Sequence, residues 1–397
     1  MKIPLSNPDI TQKEIKSVVN VLKTPHLALG PRLKEFEDNF AKYIGTKYAI
    51  AVNSGTSGLH LLIRALRIKK SDEVITTPFS FISSANCVLY EGAKPIFVDI
   101  DPQTLNIDPK KIEKAITKKT KAMVIVDIFG HPADWGPILK IARKYKLKVI
   151  EDSCEAIGAI YKSQTTNNKL QANSKLKIKN KKQKWVKCGN FGDAGVFAFY
   201  PNKQMTTGEG GMIVTNNKNI ADNCRSMMNQ GRKVENDKWL EHFQLGYNYR
   251  MSDINAALGI AQLSRIKEIL KKRNQVAEMY NGKLKKFPQV KTPYCASNAK
   301  ISWFVYVIQL DERYTRQDRD KIMEKLRQSG IQCGNYFQCI HLQPFYKKLF
   351  GYKKGDFPIA ESVSDRTIAL PFYNNLKEKQ IDYIIRTLKN VLEKFKK

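Results

Sequence analysis

Two rhythms of apolar and polar positions alternate along the chain from residue 11 to about residue 230. Short Val/Ile-rich runs read as strands at 47–52, 73–77, 95–99, 122–128, 147–152, 194–199 and 211–215. Most are separated by stretches in which apolar residues recur every three to four positions, the period of a helix packed on one face. Near-continuous apolar strands joined by helical crossovers predict a largely parallel, seven-stranded sheet covered on both faces. Ahead of it, Thr11 and Glu14 form a capping-box pattern, with Ile15, Val18, Val19 and Leu22 sharing one helical face. Pro31 sits at a helix start before Leu33, Phe36, Phe40 and Ile44, and Gly45 closes that helix. Ser252 opens a long helix carrying Ile254, Leu258, Ala261, Ile266 and Leu270.

With 397 residues the chain exceeds one ordinary core. The expected division is an N-terminal arm and large domain over residues 1–260 and a smaller α/β domain over 261–397. One segment breaks the alternation. Residues 163–187 contain eight lysines and no acid, too little apolar surface to offset ordering entropy, and read mostly as a mobile surface insertion. The competing reading is a cationic flap over a diphosphate-bearing substrate.

Composition narrows the function classes. The formal charge of +31 raises the question of a nucleic-acid partner, but the lysines are spread along the whole chain without a recognisable nucleic-acid-binding motif. Attraction of an anionic nucleotide substrate stays open. No apolar run approaches the roughly 20 residues that span a bilayer, which argues against a membrane protein. The first residues lack the apolar core of a secretory signal. Seven scattered cysteines without a C-x-x-C pair argue against a disulfide framework or a zinc site, so the expectation is no metal and a reducing cytoplasm.

Four segments carry candidate chemistry, three of them at the carboxyl ends of predicted strands, where open α/β sheets place ligands. Asn53-Ser54-Gly55-Thr56-Ser57-Gly58 precedes an apolar helical run, so its small residues leave backbone N–H groups free to cradle a phosphate; an ordinary capped turn has the same pattern. Asp152 ends a buried strand and needs a cation, such as a protonated pyridine nitrogen, or an ordinary ion pair or helix cap. Lys203 lies between a strand and the Gly-rich turn TTGEGG. A lysine kept neutral there by burial could form an imine, whereas a lone lysine is normally a surface residue. Gly246 to Met251 offers polar and cationic side chains before the long helix.

Taken in order, these segments resemble the sugar-nucleotide aminotransferases of the DegT/StrS type, enzymes with the aspartate-aminotransferase fold. The resemblance covers nearly the whole chain, through NSGTSGLH, TTPFSFISSAN, GAKPIFVDID, IEDSCEAIGA, FYPNKQMTTGEGGMIVTNN, LGYNYRMSDINAALG and HLQPFY. It implies pyridoxal 5′-phosphate as cofactor, passing through the pyridoxamine form during turnover. Lys203 would hold it as a Schiff base and shuttle the proton, and Asp152 would pair with the ring nitrogen. Phe81 would stack on the ring, and Gly55, Thr56 and Ser57 would hold the phosphate. Asn248 and Arg250 would reach the neighbouring subunit's site in a homodimer, with Arg250 and His341 placed toward substrate. The implied reaction moves an amino group from L-glutamate to a keto group of a nucleotide-linked deoxysugar, for surface polysaccharide or glycoconjugate synthesis.

Four features depart from the family pattern. Ala198 stands where a serine often contacts the phosphate. Glu155 stands where glutamine or histidine often meets the cofactor's phenolic oxygen, an unfavourable place for a carboxylate unless a proton is held there. Phe337-Gln338-Cys339 and the 163–187 insertion are also unusual. A sugar dehydratase of the same fold is the nearest rival, but it carries histidine where this chain has Lys203. A non-catalytic regulatory protein keeping the fold is the second.

Overall fold

A computed structural model of the chain describes residues 1–163, 184–232 and 241–395. Seven strands form one sheet: β1 (Tyr48–Val52), β2 (Glu73–Thr76), β3 (Lys94–Phe97), β4 (Thr120–Val126), β5 (Lys148–Asp152), β8 (Ala194–Ala198) and β9 (Gly211–Thr215). Between β5 and β8 lie β6 (Ile160–Ser163) and β7 (Lys184–Lys187), an antiparallel pair outside the large sheet. The large sheet runs β1-β9-β8-β5-β4-β2-β3, and β9 alone is antiparallel to its neighbours. All seven strands expected from the apolar runs are present.

The sheet is buried on both faces because its side chains alternate between two cores. Ile50, Val52, Val74, Val196 and Ile213 pack with helices Gly55–Ala65 and Lys218–Met228. Ala49, Ala51, Phe197, Met212 and Val214 pack on the other face with helix Pro31–Ile44 and with Ala256, Leu263 and Ile266. On that face Gly259 lies under the Phe36 ring, where an added Cβ would come within 2.6 Å of it. A third cluster gathers Ile3 with Val276, Tyr280, Tyr306, Leu326, Ile368 and Leu388. It surrounds a small antiparallel sheet of β10 (Val290–Lys291), β12 (Tyr306–Leu310) and β13 (Thr367–Leu370), while β11 (Ala299–Lys300) pairs with β6. The arm therefore begins against the C-terminal part of the chain.

Two expectations change. Helix Gln12–Leu22 has the Thr11–Glu14 capping box, but it buries Glu14 and Val21 and leaves Ile15, Val19 and Leu22 exposed. Glu14 is held by Arg265 at 2.9 Å, so an ion pair anchors the helix to the rest of this chain. The long helix after Ser252 is two, Asp253–Ser264 and Ile266–Leu284, broken at Arg265. Of the lysine-rich insertion, Ser163 and Lys184–Lys187 are strand; residues 164–183 lie outside the described residues.

A half-buried ion pair ties helix Lys218–Met228 to the edge of the sheet. Arg225 Nη1 donates to Glu37 Oε2 at 2.6 Å, and Ala51 N–H donates to Glu37 Oε1 at 2.9 Å. Burial pushes the Glu37 carboxyl up, and Arg225 opposes that shift. Arg225→Met should strand the acid and lower stability by about 3 kcal/mol. A denaturant midpoint within error of the wild type would show the pair to be dispensable.

Candidate active site

The carboxyl ends of β1, β4, β5 and β8 open on one cavity of about 610 Å³. Each wall follows from a local rule. Ser54 caps helix Gly55–Ala65, its Oγ accepting the Ser57 N–H at 3.1 Å. The first turn of that helix presents Gly55 and Thr56 to the cavity. Gly55 is required by a close approach: a Cβ there would meet Ala198 Cβ at 2.8 Å and Cys154 Sγ at 2.9 Å. The Thr56 hydroxyl is 2.7 Å from Ser83 Oγ.

Asp152, the last residue of β5, is buried and lines the same cavity. Its Oδ2 accepts from Ser84 Oγ at 2.7 Å and its Oδ1 from the Cys154 N–H at 3.2 Å. Lys203 enters from the loop after β8, its Nζ 3.9 Å from the Phe304 ring centroid and 3.6 Å from Glu155 Oε1. The loop is pinned from outside: Arg273 Nη2 donates to the Lys203 carbonyl at 2.9 Å. Gln204 Nε2 donates to the carbonyls of Glu155 and Ser302, at 2.6 and 3.0 Å. Burial pushes the Glu155 carboxyl up against the opposing pull of Lys203 and the Phe129 N–H. Phe81 lines the mouth with 60% of its surface exposed.

The remaining expected site residues are elsewhere. Ser57 does not line the cavity; its hydroxyl is 2.7 Å from Asn53 Oδ1, so the helix cap has already engaged it. Asn248 is exposed and meets Asn53 through its carbonyl, and Arg250 donates to Asn229 Oδ1 at 3.0 Å; neither lines this chain's cavity. His341 does not border it either. It is fully buried, 3.0 Å from Glu361 and edge-on to Phe357, and burial pushes its imidazole pKa down.

Ala198 lines the cavity as expected, and Ser83, Ser84, Phe304, Tyr336 and Phe337 line it as well. The two serines belong to the segment from which only Phe81 was singled out. Phe304 and Tyr336 come from the C-terminal part, where no local pattern marks them. Behind the cavity, Asp127, Glu151 and Cys188 form a buried cluster whose ligand atoms lie within 4.8 Å of one another. Its carboxylates already accept from Ser153, Trp135, Ala133 and Phe191. Burial pushes Asp127 up to about 6.

A phosphorylated pyridine aldehyde asks for an anion cradle, an acid for its ring nitrogen and an amine for its aldehyde. The Ser54-capped turn, Asp152 and Lys203 bring those three chemistries to one cavity, and Gly55 keeps the cradle open. The comparisons with known proteins agree. The DegT/DnrJ/EryC1/StrS aminotransferase family model matches residues 8–389. GDP-perosamine synthase of Caulobacter vibrioides is 36% identical over 393 residues, 98% of each chain. Spore coat polysaccharide biosynthesis protein SpsC of Bacillus subtilis is 35% identical over 400 residues, 98% of this chain and 97% of its own. Among solved structures, the sugar aminotransferase Spr1654 of Streptococcus pneumoniae in its PLP form superposes with a TM-score of 0.90 at 26% identity over the whole of both chains. With the family matched from end to end, the chain belongs to the DegT/DnrJ/EryC1/StrS aminotransferases, pyridoxal-phosphate enzymes that aminate sugars.

Proposed function

We propose that the chain transfers the amino group of L-glutamate to the keto group of a nucleotide-linked deoxysugar, feeding a surface polysaccharide or glycoconjugate. One observation carries this reading: Lys203 and Asp152 face a single cavity with the N-terminus of helix Gly55–Ala65. When bound there, pyridoxal phosphate supplies the electron sink that makes a proton on the donor's Cα removable. Lys203 Nζ would hold the cofactor covalently, and its amine is the base placed to take up and return that proton. Asp152 keeps the ring nitrogen protonated, with Ser84 fixing the carboxylate that does so. Gly55 and Thr56 take the phosphate, and Phe81 covers the ring. Ala198 offers no hydroxyl, so this end of the site depends more on Thr56.

The working unit in this reading is a homodimer. Asn248 and Arg250 lie outside their own cavity, and Ile15, Val19, Leu22, Leu27 and Leu29 are exposed apolar residues near the N-terminus. Such a surface suits a second copy of the chain, whose site Asn248 and Arg250 would complete. The lysine-rich composition suits a diphosphate-bearing substrate.

Stripped and reloaded protein, given glutamate and then a panel of nucleotide-linked ketosugars, should lose its visible absorbance and regain it with the true acceptor. Recovery with simple 2-oxo acids alone would replace this reading with an ordinary amino-acid aminotransferase. Gly55→Val should weaken cofactor binding at least about tenfold, since its Cβ would occupy the space against Ala198 and Cys154. Titration of stripped protein with the cofactor measures this, and unchanged affinity would place the phosphate elsewhere.

A further inference from the structure

Glu155 is the buried acid nearest Lys203. Its two oxygens have different partners: Oε2 accepts the Phe129 N–H at 2.8 Å, and Oε1 lies 3.6 Å from Lys203 Nζ. Phe129 has a left-handed backbone (φ 54°), uncommon for a bulky residue. The loop after β4 thus adopts a costly conformation where it donates to this carboxylate. Gln204, next to Lys203, hydrogen-bonds the Glu155 carbonyl, so the two groups are held in register by backbone as well as by charge. The other titratable groups facing this pair are Asp152 and Cys154 from the end of β5 and Tyr336 from the C-terminal part. Asp152 is already held by two donors, and burial pushes Cys154 and Tyr336 up, which keeps both neutral.

We propose that Glu155 is the proton store for Lys203, so that the pair keeps one proton inside the cavity whether or not Lys203 is charged. In the step itself one N–H bond of the Lys203 ammonium breaks and an O–H bond forms on Glu155 Oε1, leaving a neutral amine and a neutral acid; the reverse step restores both charges. Neither state leaves a lone charge buried, which is the arrangement that costs most. Glutamine could fill the same space, but it could not take the proton. The proposal rests on the reading of Lys203 as the cofactor-bearing residue.

Infrared difference spectroscopy tests it, with Glu155→Gln identifying the band. Stripped wild type should hold Glu155 as carboxylate. Stripped Lys203→Met, in which the positive charge is gone, should gain a carboxylic-acid C=O band at neutral pH. The band should be missing from stripped Lys203→Met/Glu155→Gln. The Asp127–Glu151 pair is common to all samples and cancels in the differences. A second readout needs no cofactor: acylation of Lys203 in the stripped protein, followed by peptide mass spectrometry. Without its carboxylate partner the buried ammonium loses its proton more readily, so Glu155→Gln should be acylated at least about tenfold faster at neutral pH. Stripped Lys203→Met without the band, or equal acylation rates, would overturn the proposal. Failure of the cofactor to load on Lys203 would instead overturn the functional reading, which separates the two.

Discussion

Lys203→Ala is expected to abolish transamination, with a loss of about 10⁴-fold or more, because in the proposed function one side chain supplies both the covalent anchor and the proton carrier. The fold should survive. Lys203 is held through its main chain, by Arg273 at the carbonyl and by its N–H to the carbonyl of Tyr200 at 2.9 Å, and both contacts remain in the alanine variant. The variant also relieves the burial of an ammonium against Phe304 while leaving Glu155 without its cation, so the net stability change should be small. Borohydride should fix the cofactor to the wild-type peptide containing Lys203 and to no peptide of the variant. Trapping on any other lysine would end the assignment, whatever the activity. A variant that loses both activity and its cooperative thermal transition would say nothing about catalysis, so the melting curve accompanies the assay.

What the sequence revealed, and what it hid, follows from where each residue's partners lie. The seven strands were legible because both faces of the sheet are buried, which turns each strand into an apolar run independent of its neighbours. Lys203, Asp152 and Gly55 were legible because each sits within a few residues of a strand's carboxyl end, and strand ends can be read locally. Ser84 was missed because its role is a hydrogen bond to a residue 68 positions away. Arg273 was missed for the same reason, since it meets the Lys203 carbonyl 70 positions away. The burial of His341 was not legible, because a histidine in a resembling segment carries no sign of it, and here Glu361 and Phe357 enclose the ring. The apolar stripe of helix Gln12–Leu22 has the right period, but Glu14, not the stripe, anchors the helix within this chain. Periodicity reports that a face is apolar without naming what covers it.

The second large effect is expected at Asp152, where shape and charge can be separated. Asp152→Asn keeps the volume and can still accept from the Cys154 N–H and meet the Ser84 hydroxyl. What it removes is the negative charge proposed to hold the ring nitrogen protonated. The cofactor should still bind and still be trapped on Lys203, because the cradle at Gly55 and Thr56 and the amine are untouched. The turnover number should fall roughly 10²- to 10³-fold, the usual cost of losing one fixed charge aimed at the transition state. Stability should hold or rise slightly, since a buried carboxylate is exchanged for a neutral amide with the same partners. The effect should be concentrated in the proton-removal step, so Cα-deuterated glutamate should show a larger isotope effect with the variant than with the wild type. Turnover within threefold of the wild type would remove Asp152 from the chemistry and leave it a strand-end residue fixed by Ser84. A normal turnover number with much weaker cofactor binding would mean that the charge holds the ring in place without tuning it. Since Lys203→Ala removes the anchor and Asp152→Asn leaves it in place, the pair of variants separates holding the cofactor from activating it.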